Sequence, residues 1–440
     1  SVLAFLMVVS LIPVNSLMTK ANAASKTTFE GGKTVEDGTW KGWTWNVFGS
    51  STDVTKASAT DTGNGGVTLE VTGDKGKING SASDQGLNTF LYELDKSYDF
   101  TITAQAKIDT LATNEQAAFG LTIRDNVGTH GNTTKLTADK NNFAFVGGYG
   151  NKDNNADETT NHGNAGYKTT KLKHTRLGKS PAVGGTYDLA IQKIGDSVKL
   201  YFDGEVATEC SAADLITDDT MYVGLFAARN AKITFNNVKL AYTQDSSSVK
   251  VTNVTAPKKT TYCAGNTYED VDLTGFKATV SVDGKEREIT AADCVVDMSS
   301  KPFSEVTEAG KLNLLYLGQV IEVPITVIKE VVSDMYIEYM PVKTDYMVTD
   351  TALDFTGLVG KVVYNSGRTF DLKTLIDNKD ANTTVSDVDF TTAGDKEVTI
   401  SHTYGDVTKD VIIPISISDA TVKNITITNP NTTRFYTDSK

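Results

Sequence analysis

The stretch Tyr187–Thr208, YDLAIQKIGDSVKLYFDGEVAT, decides the fold class. Tyr187, Leu189 and Ile191 alternate with Asp188, Ala190 and Gln192, and Val198, Leu200 and Phe202 alternate with Lys199 and Tyr201. A period of two places each apolar set on one face of a strand. Gly195-Asp196 and Asp203-Gly204 are turn dipeptides of the kind that closes a tight hairpin. The stretch therefore reads as a three-stranded antiparallel meander, with one face buried and the other, which carries Lys199 and Tyr201, in water.

Working outward, the same alternation recurs from residue 67 to residue 240, and helical periodicity is almost absent. Phe100, Ile102, Ala104, Ala106 and Ile108 share one face of a long strand. Ile233 and Phe235 change parity to Val238 and Leu240 across Asn236-Asn237, which predicts a bulge that restores the inward face. About ten strands between Phe29 and Ala241 exceed what a single flat sheet accommodates and suit two sheets packed face to face. The expected fold is all-β, opening with a jelly-roll sandwich over residues 27–243.

The C-terminal half repeats. Pro257–Tyr262 recurs as Pro341–Tyr346, a third copy begins at Pro430–Tyr436, and Gly310 and Gly394 keep the 84-residue offset of Tyr262 and Tyr346. The copies delimit modules at 250–329 and 332–418, with the start of a third at 422–440. Each full copy closes with a proline inside an apolar strand, Val323-Pro324-Ile325 and Ile413-Pro414-Ile415, which suits an edge or a bulge. Asp245-Ser246-Ser247-Ser248 reads as a short polar linker before the first copy. The interrupted third copy implies that the protein continues beyond Lys440. At the other end, an apolar run from Val2 to Leu17 precedes Ala21-Asn22-Ala23, so residues 1–23 are expected to be an N-terminally trimmed export signal cleaved after Ala23. A membrane anchor is the rival, but Pro13, Asn15 and Ser16 interrupt the run before the roughly 20 apolar residues of a spanning helix. No membrane insertion is expected after signal removal.

A formal charge of −13 over 440 residues, with no basic block, would repel nucleic acid and anionic lipid. It is compatible with neutral glycans, and with anionic glycans only where a cation or a local basic pocket mediates. The three cysteines, Cys210, Cys263 and Cys294, contain no C-x-x-C pair for zinc. Cys263 stands at the repeat position of Met347 and so reads as filling an apolar slot, with a Cys263–Cys294 bridge as the alternative.

The blocks Phe119–Arg124, Phe143–Tyr149, Tyr187–Lys193, Val198–Gly204 and Tyr222–Phe226 resemble concanavalin A-like lectin/glucanase domains of the laminin-G-like jelly-roll type. The likeness is greatest to modules at the N-terminal end of secreted bacterial polysaccharide-degrading proteins, pectate lyases among them, and the opening Trp40-Lys41-Gly42-Trp43-Thr44-Trp45 adds to it. Tyr262–Gly265, Asp272–Phe276, Val280 and Asp283-Gly284 resemble bacterial Ig-like domains. The second copy keeps Tyr346, Asp354–Leu358, Val362 and Gly367 but has Thr349 in place of Gly265, which puts that turn in question.

No catalytic constellation is legible. A retaining glucanase needs two carboxylates about 5 Å apart, and the string nearest the family's E-x-D-x-x-E is Glu93-Leu94-Asp95-Lys96-Ser97-Tyr98, whose last acid is missing. There is no G-x-S-x-G, no short coil repeat of a β-helix lyase, and His130, His162, His174 and His402 read as lone surface residues. Two features suit binding. Indole faces pack on pyranose C–H groups; Trp43 and Trp45 share a parity that suits core, with Trp43 retained as a binding candidate, and Trp40, of opposite parity, is the expected exposed platform. The loop 147–158 and its continuation to Asn164 are dense in amide and carboxylate oxygens that suit sugar hydroxyls or Ca²⁺, with Tyr149, Asp153, Asn155 and Asp157 as first candidates.

The resemblance and these features together imply a non-catalytic glycan-binding and spacer region. It would belong to a larger exported protein acting on plant polysaccharide such as pectin, at the surface or outside of a Gram-positive cell. A cell-surface adhesin built from the same modules is the alternative.

Overall fold

The computed structural model describes residues 40, 42–49, 52–63, 65–78, 85–113, 116–133, 141–150, 162–419 and 425–426. The expected export signal and, apart from residues 425–426, the third repeat lie outside them. The chain forms two compact units, the first running to Tyr262 and including Thr267–Thr326, the second comprising Cys263–Asn266 and Val327–Lys440.

The first unit opens with fourteen strands: β1 (Trp43–Phe48), β2 (Ala57–Gly63), β3 (Gly66–Val71), β4 (Leu87–Asp95), β5 (Asp99–Leu111), β6 (Ala118–Arg124), β7 (Phe143–Tyr149), β8 (His162–Lys168), β9 (Leu172–Arg176), β10 (Thr186–Ile194), β11 (Ser197–Phe202), β12 (Glu205–Ser211), β13 (Thr220–Ala228) and β14 (Ala231–Thr243). They divide equally between a front sheet, β1-β4-β13-β6-β7-β8-β9, and a back sheet, β12-β11-β10-β5-β14-β3-β2. The core between them takes Phe100, Ile102, Ile108, Leu189, Ile191, Val198 and Leu200 from the back sheet and Phe90, Phe119, Leu121, Ile123, Val146, Val223 and Leu225 from the front. These are the residues that alternation assigns inward, so the period of two builds the interior directly.

The meander forms as β10-β11-β12, with Leu189 opposite Phe202 and Ile191 opposite Leu200. Asp203 and Gly204 both take positive φ, 46° and 77°, the geometry that lets a two-residue turn follow the strand twist. In β14 the register shifts between Asn236 and Lys239, Asn237 has φ 50°, and Ile233, Phe235, Val238 and Leu240 all stay buried. The bulge absorbs the parity change.

The outer face of the back sheet departs from expectation. Tyr201 is 2% and Ala190 4% exposed, packed with Val295 and Leu315 of the first repeat. That repeat, whose strands begin at Lys250–Thr255, covers this face and ties to it through polar groups. Thr103 Oγ1 donates to Ala292 O (2.6 Å), Leu317 N donates to Thr101 Oγ1 (3.1 Å), and Tyr268 Oη donates to Asp188 (2.9 Å). The expected linker is a 3₁₀ turn, Ser246–Ser248, whose Ser246 donates to Asp99 (2.6 Å) and accepts from Gln319 (3.0 Å). The wet face is therefore an internal interface, and Tyr201 is its apolar contribution rather than an exposed side chain.

Each repeat is a small sandwich of a three-stranded and a four-stranded sheet. Tyr262 and Tyr346 are buried at corresponding places, each capped by a lysine ammonium, Lys259 at 4.7 Å and Lys343 at 4.5 Å from the ring centroid. Their hydroxyls accept from Asp272 N (3.3 Å) and Asp354 N (3.0 Å). Thr349 does not abolish the turn: Met347 N donates to Asp350 (2.8 Å) as Cys263 N does to Asn266 (2.6 Å), although only Gly265 takes positive φ. Pro414 lies outside the span Ser416–Ser418 where strand Val407–Ser418 pairs with Asp345–Met347, so its missing N–H leaves no gap in that ladder. Cys294 is a buried thiol that donates to Thr290 O (3.6 Å), so the Cys263–Cys294 bridge is not formed.

Candidate functional site

On a strand whose inward residues fill one core, the alternate residues must face water, a ligand or a second core. In β7, Ala144 and Val146 point inward while Phe143, Phe145 and Tyr149 point out, so both faces are apolar. The outward set meets Phe48, Leu87, Phe226 and Ile78 in a second cluster, with Phe145 6.1 Å from both Phe226 and Tyr149. Gly120 and Gly147 pair directly at its centre, where a Cβ on either would lie 2.0 Å from a backbone carbonyl of the facing strand. The outer face of the front sheet is thus filled along β7.

One row across this face carries charge. Pairing places Glu93, Tyr222, Arg124, Phe143 and Lys168 in register across β4, β13, β6, β7 and β8. Arg124 is fully buried, its guanidinium over the rings of Phe143 (5.0 Å) and Phe48 (5.4 Å). Its Nη2 donates to Gln85 (2.8 Å) and Asn141 (2.9 Å) and its Nε to Asn126 O (3.3 Å), while Nη1 has no partner among the described residues. Lys168 is 3% exposed, and its Nζ also has none. Burial lowers the Arg124 pKa to about 9 against the opposing pull of Asp125, and lowers that of Lys168, with the charge of Arg124 adding to the effect. Asp125 itself accepts from Thr217 N, Thr217 Oγ1 and Asp218 N. A strand ending in arginine beside a strand apolar on both faces was the sequence signal for this row.

The expected site residues fall elsewhere. Trp40 is 2% exposed, its ring edge-on to Trp43 (5.4 Å) and Phe90 (5.1 Å), so it is no open platform. Parity does not reach it because β1 begins only at Trp43, after Gly42 at φ 85°. Trp43 is core, stacked on Phe90 at 5.3 Å, and Tyr149 is buried in the second cluster. Trp45 is the tryptophan that reaches the surface: half-buried, it donates from Nε1 to Asn88 (2.7 Å) and meets His130 at 4.9 Å. Asp153, Asn155 and Asp157 lie outside the described residues, among which no group of three His, Cys, Asp or Glu is placed to hold a metal such as Ca²⁺.

Of the acids weighed for catalysis, Glu93 is exposed, and Asp95 accepts from Ser97 N (2.8 Å) and Ser97 Oγ (2.7 Å), bonds that hold its pKa below the usual carboxylate value. Asp95 serves a turn. The histidines are not all surface residues, since His402 in the second unit is 1% exposed, between the hydroxyls of Tyr364 and Thr383, each 2.8 Å away.

Residues 46–245 match the family described as the pectate disaccharide-lyase N-terminal domain. Beyond that segment, the chain is similar to pectate lyase L of Thermoclostridium stercorarium, 27% identical over 404 residues. That alignment covers 90% of this chain and 30% of the relative, so the chain spans under a third of the protein it resembles. Among solved structures, a carbohydrate-binding module, CBM66 of Bacillus subtilis, is 15% identical, covering 46% of this chain and 95% of its own, at a TM-score of 0.27. Lectin II of Ulex europaeus is 11% identical, covering 48% and 95%, at 0.30. No helix among the described residues is long and apolar enough to cross a membrane.

Proposed function

We propose that this chain is a polysaccharide-binding region of a larger extracellular polysaccharide-degrading protein, with pectin or its de-esterified form as the glycan. The match of residues 46–245 to the N-terminal domain of pectate disaccharide-lyases carries this reading. In it, the jelly roll holds polysaccharide while chemistry is done by another part of the protein. The first repeat, Ig-like by its sequence, braces the back sheet, and the second is a further spacer module. Trp45 replaces Trp40 as the surface aromatic, and Asp153, Asn155 and Asp157 keep their place as candidate sugar or Ca²⁺ ligands.

Affinity electrophoresis through gels of pectin, polygalacturonate, xylan and β-glucan tests the reading. Retardation on the pectic gels, weakened by Trp45→Ala in a variant that stays folded at the assay temperature, is the expected result. Unretarded migration on every polysaccharide would overturn it.

A further inference from the structure

We infer that Arg124 and Lys168 form an enclosed anion site on the outer face of the front sheet, built to take a carboxylate. The inference deepens the polysaccharide-binding reading and rests on it for the sugar, though not for the anion. Two cations lie on the same face of β6 and β8, the strands on either side of β7, each paired in register with Phe143. Both are buried, and each has a nitrogen without a hydrogen-bond partner among the described residues, Arg124 Nη1 and Lys168 Nζ. A buried cationic nitrogen without a hydrogen-bond partner is costly, and Asp125, whose charge partly offsets the burial of Arg124, already gives its oxygens to Thr217 and Asp218. An anion accepting from these nitrogens would remove the cost.

The surroundings favour a planar, bidentate acceptor. Arg124 is fixed in orientation by Gln85 and Asn141 on Nη2 and by the rings of Phe48 and Phe143, which leaves Nη1 to donate in a set direction. Lys168 supplies a second donor from the next strand but one. In a chain of net charge −13 such a pair is also a local exception to the prevailing field. The carboxylate has two sources, a free small acid or a uronate unit of an acidic polysaccharide.

The test is a thermal-shift titration of the full chain with sodium galacturonate, sodium acetate and galactose, at ionic strength held constant with sodium chloride. A saturable rise in Tm with galacturonate and none with galactose is expected. Acetate matching galacturonate would assign a free-acid site, and galacturonate acting at lower concentration would assign a uronate site. Lys168→Met should abolish the shift and, by removing a buried charge, leave the ligand-free Tm unchanged or higher. Should that variant not fold, calorimetric titration of the unaltered chain with galacturonate decides, and absence of a saturable heat overturns the site. An equal shift in Lys168→Met, or none with either acid in the unaltered chain, also overturns it. Retardation on pectic gels that persists despite that result would leave the polysaccharide-binding reading standing.

Discussion

Trp43 and His402 show how much a single side chain can carry here. Trp43 is wholly buried and stacked on Phe90, so Trp43→Ala removes a large apolar contact and leaves a cavity. We expect a loss of about 3–5 kcal/mol, read from urea denaturation. His402 is held neutral: burial lowers its pKa below the ordinary 6.5, and Asp380 only partly opposes this. Its depressed folded value means that the unfolded chain binds the proton more readily. The stability of the second unit is then full above about pH 6.5 and declines as pH falls below it, toward the folded pKa. Melting curves between pH 8 and pH 5 should show that decline in the second unit, and His402→Gln should flatten it. Neither residue's placement was obvious from its neighbours in sequence. The shared parity of Trp43 and Trp45 pointed both to the core, which holds for Trp43 while Trp45 is only half-buried; Trp40 was misjudged because alternation was extended past the start of β1, and His402 because one histidine on a polar-looking strand gives no sign of what covers it.

At the scale of strands, the meander, the long strand β5 and the bulge in β14 were readable because each rests on period-two alternation interrupted by Gly or Asn. The front sheet was less so. In β7 both parities are apolar, which signals burial on both sides, yet Gly147 and Gly148 break the run and the row of Arg124, Phe143 and Lys168 exists only once three strands are in register. The glycine pair has a mechanical role: at φ 148° and 155°, Gly120 and Gly147 let β6 and β7 approach closely beneath the aromatic cluster. Gly147→Ala brings a Cβ against Phe119 O in a backbone region that side chains disfavour. The expected loss is about 1–3 kcal/mol, measured as a lower midpoint in urea, and any glycan binding that depends on the front sheet should weaken with it.

For the whole molecule, the packing of the first repeat on the jelly roll is the feature the sequence did not disclose. Asp245–Ser248 reads as a short polar linker before residues 250–329, because such a segment looks the same in sequence whether it is solvated or bonded to Asp99 and Gln319. In the fold, the first repeat covers Ala190 and Tyr201 and contributes Val295 and Leu315. A chain cut at residue 245, where the family match ends, should therefore expose an apolar patch and melt at lower temperature than one cut at residue 329. Differential scanning calorimetry of the two pieces, together with binding of a hydrophobic dye, reads both effects. Equal melting temperatures would show that the back sheet is stable uncovered.

The hairpin turn at Asp203-Gly204 bears on how such a module changes over time. A Cβ at Gly204 would lie 2.6 Å from Val296 O, and Gly204 O accepts from Met298 N at 3.0 Å, so the turn is wedged beneath the first repeat. Surface turns of sandwich folds are where insertions accumulate and new specificities arise. At this turn that route is obstructed: an insertion would meet Val296 and Met298 of the first repeat, so changes in length are expected at turns the repeat does not cover.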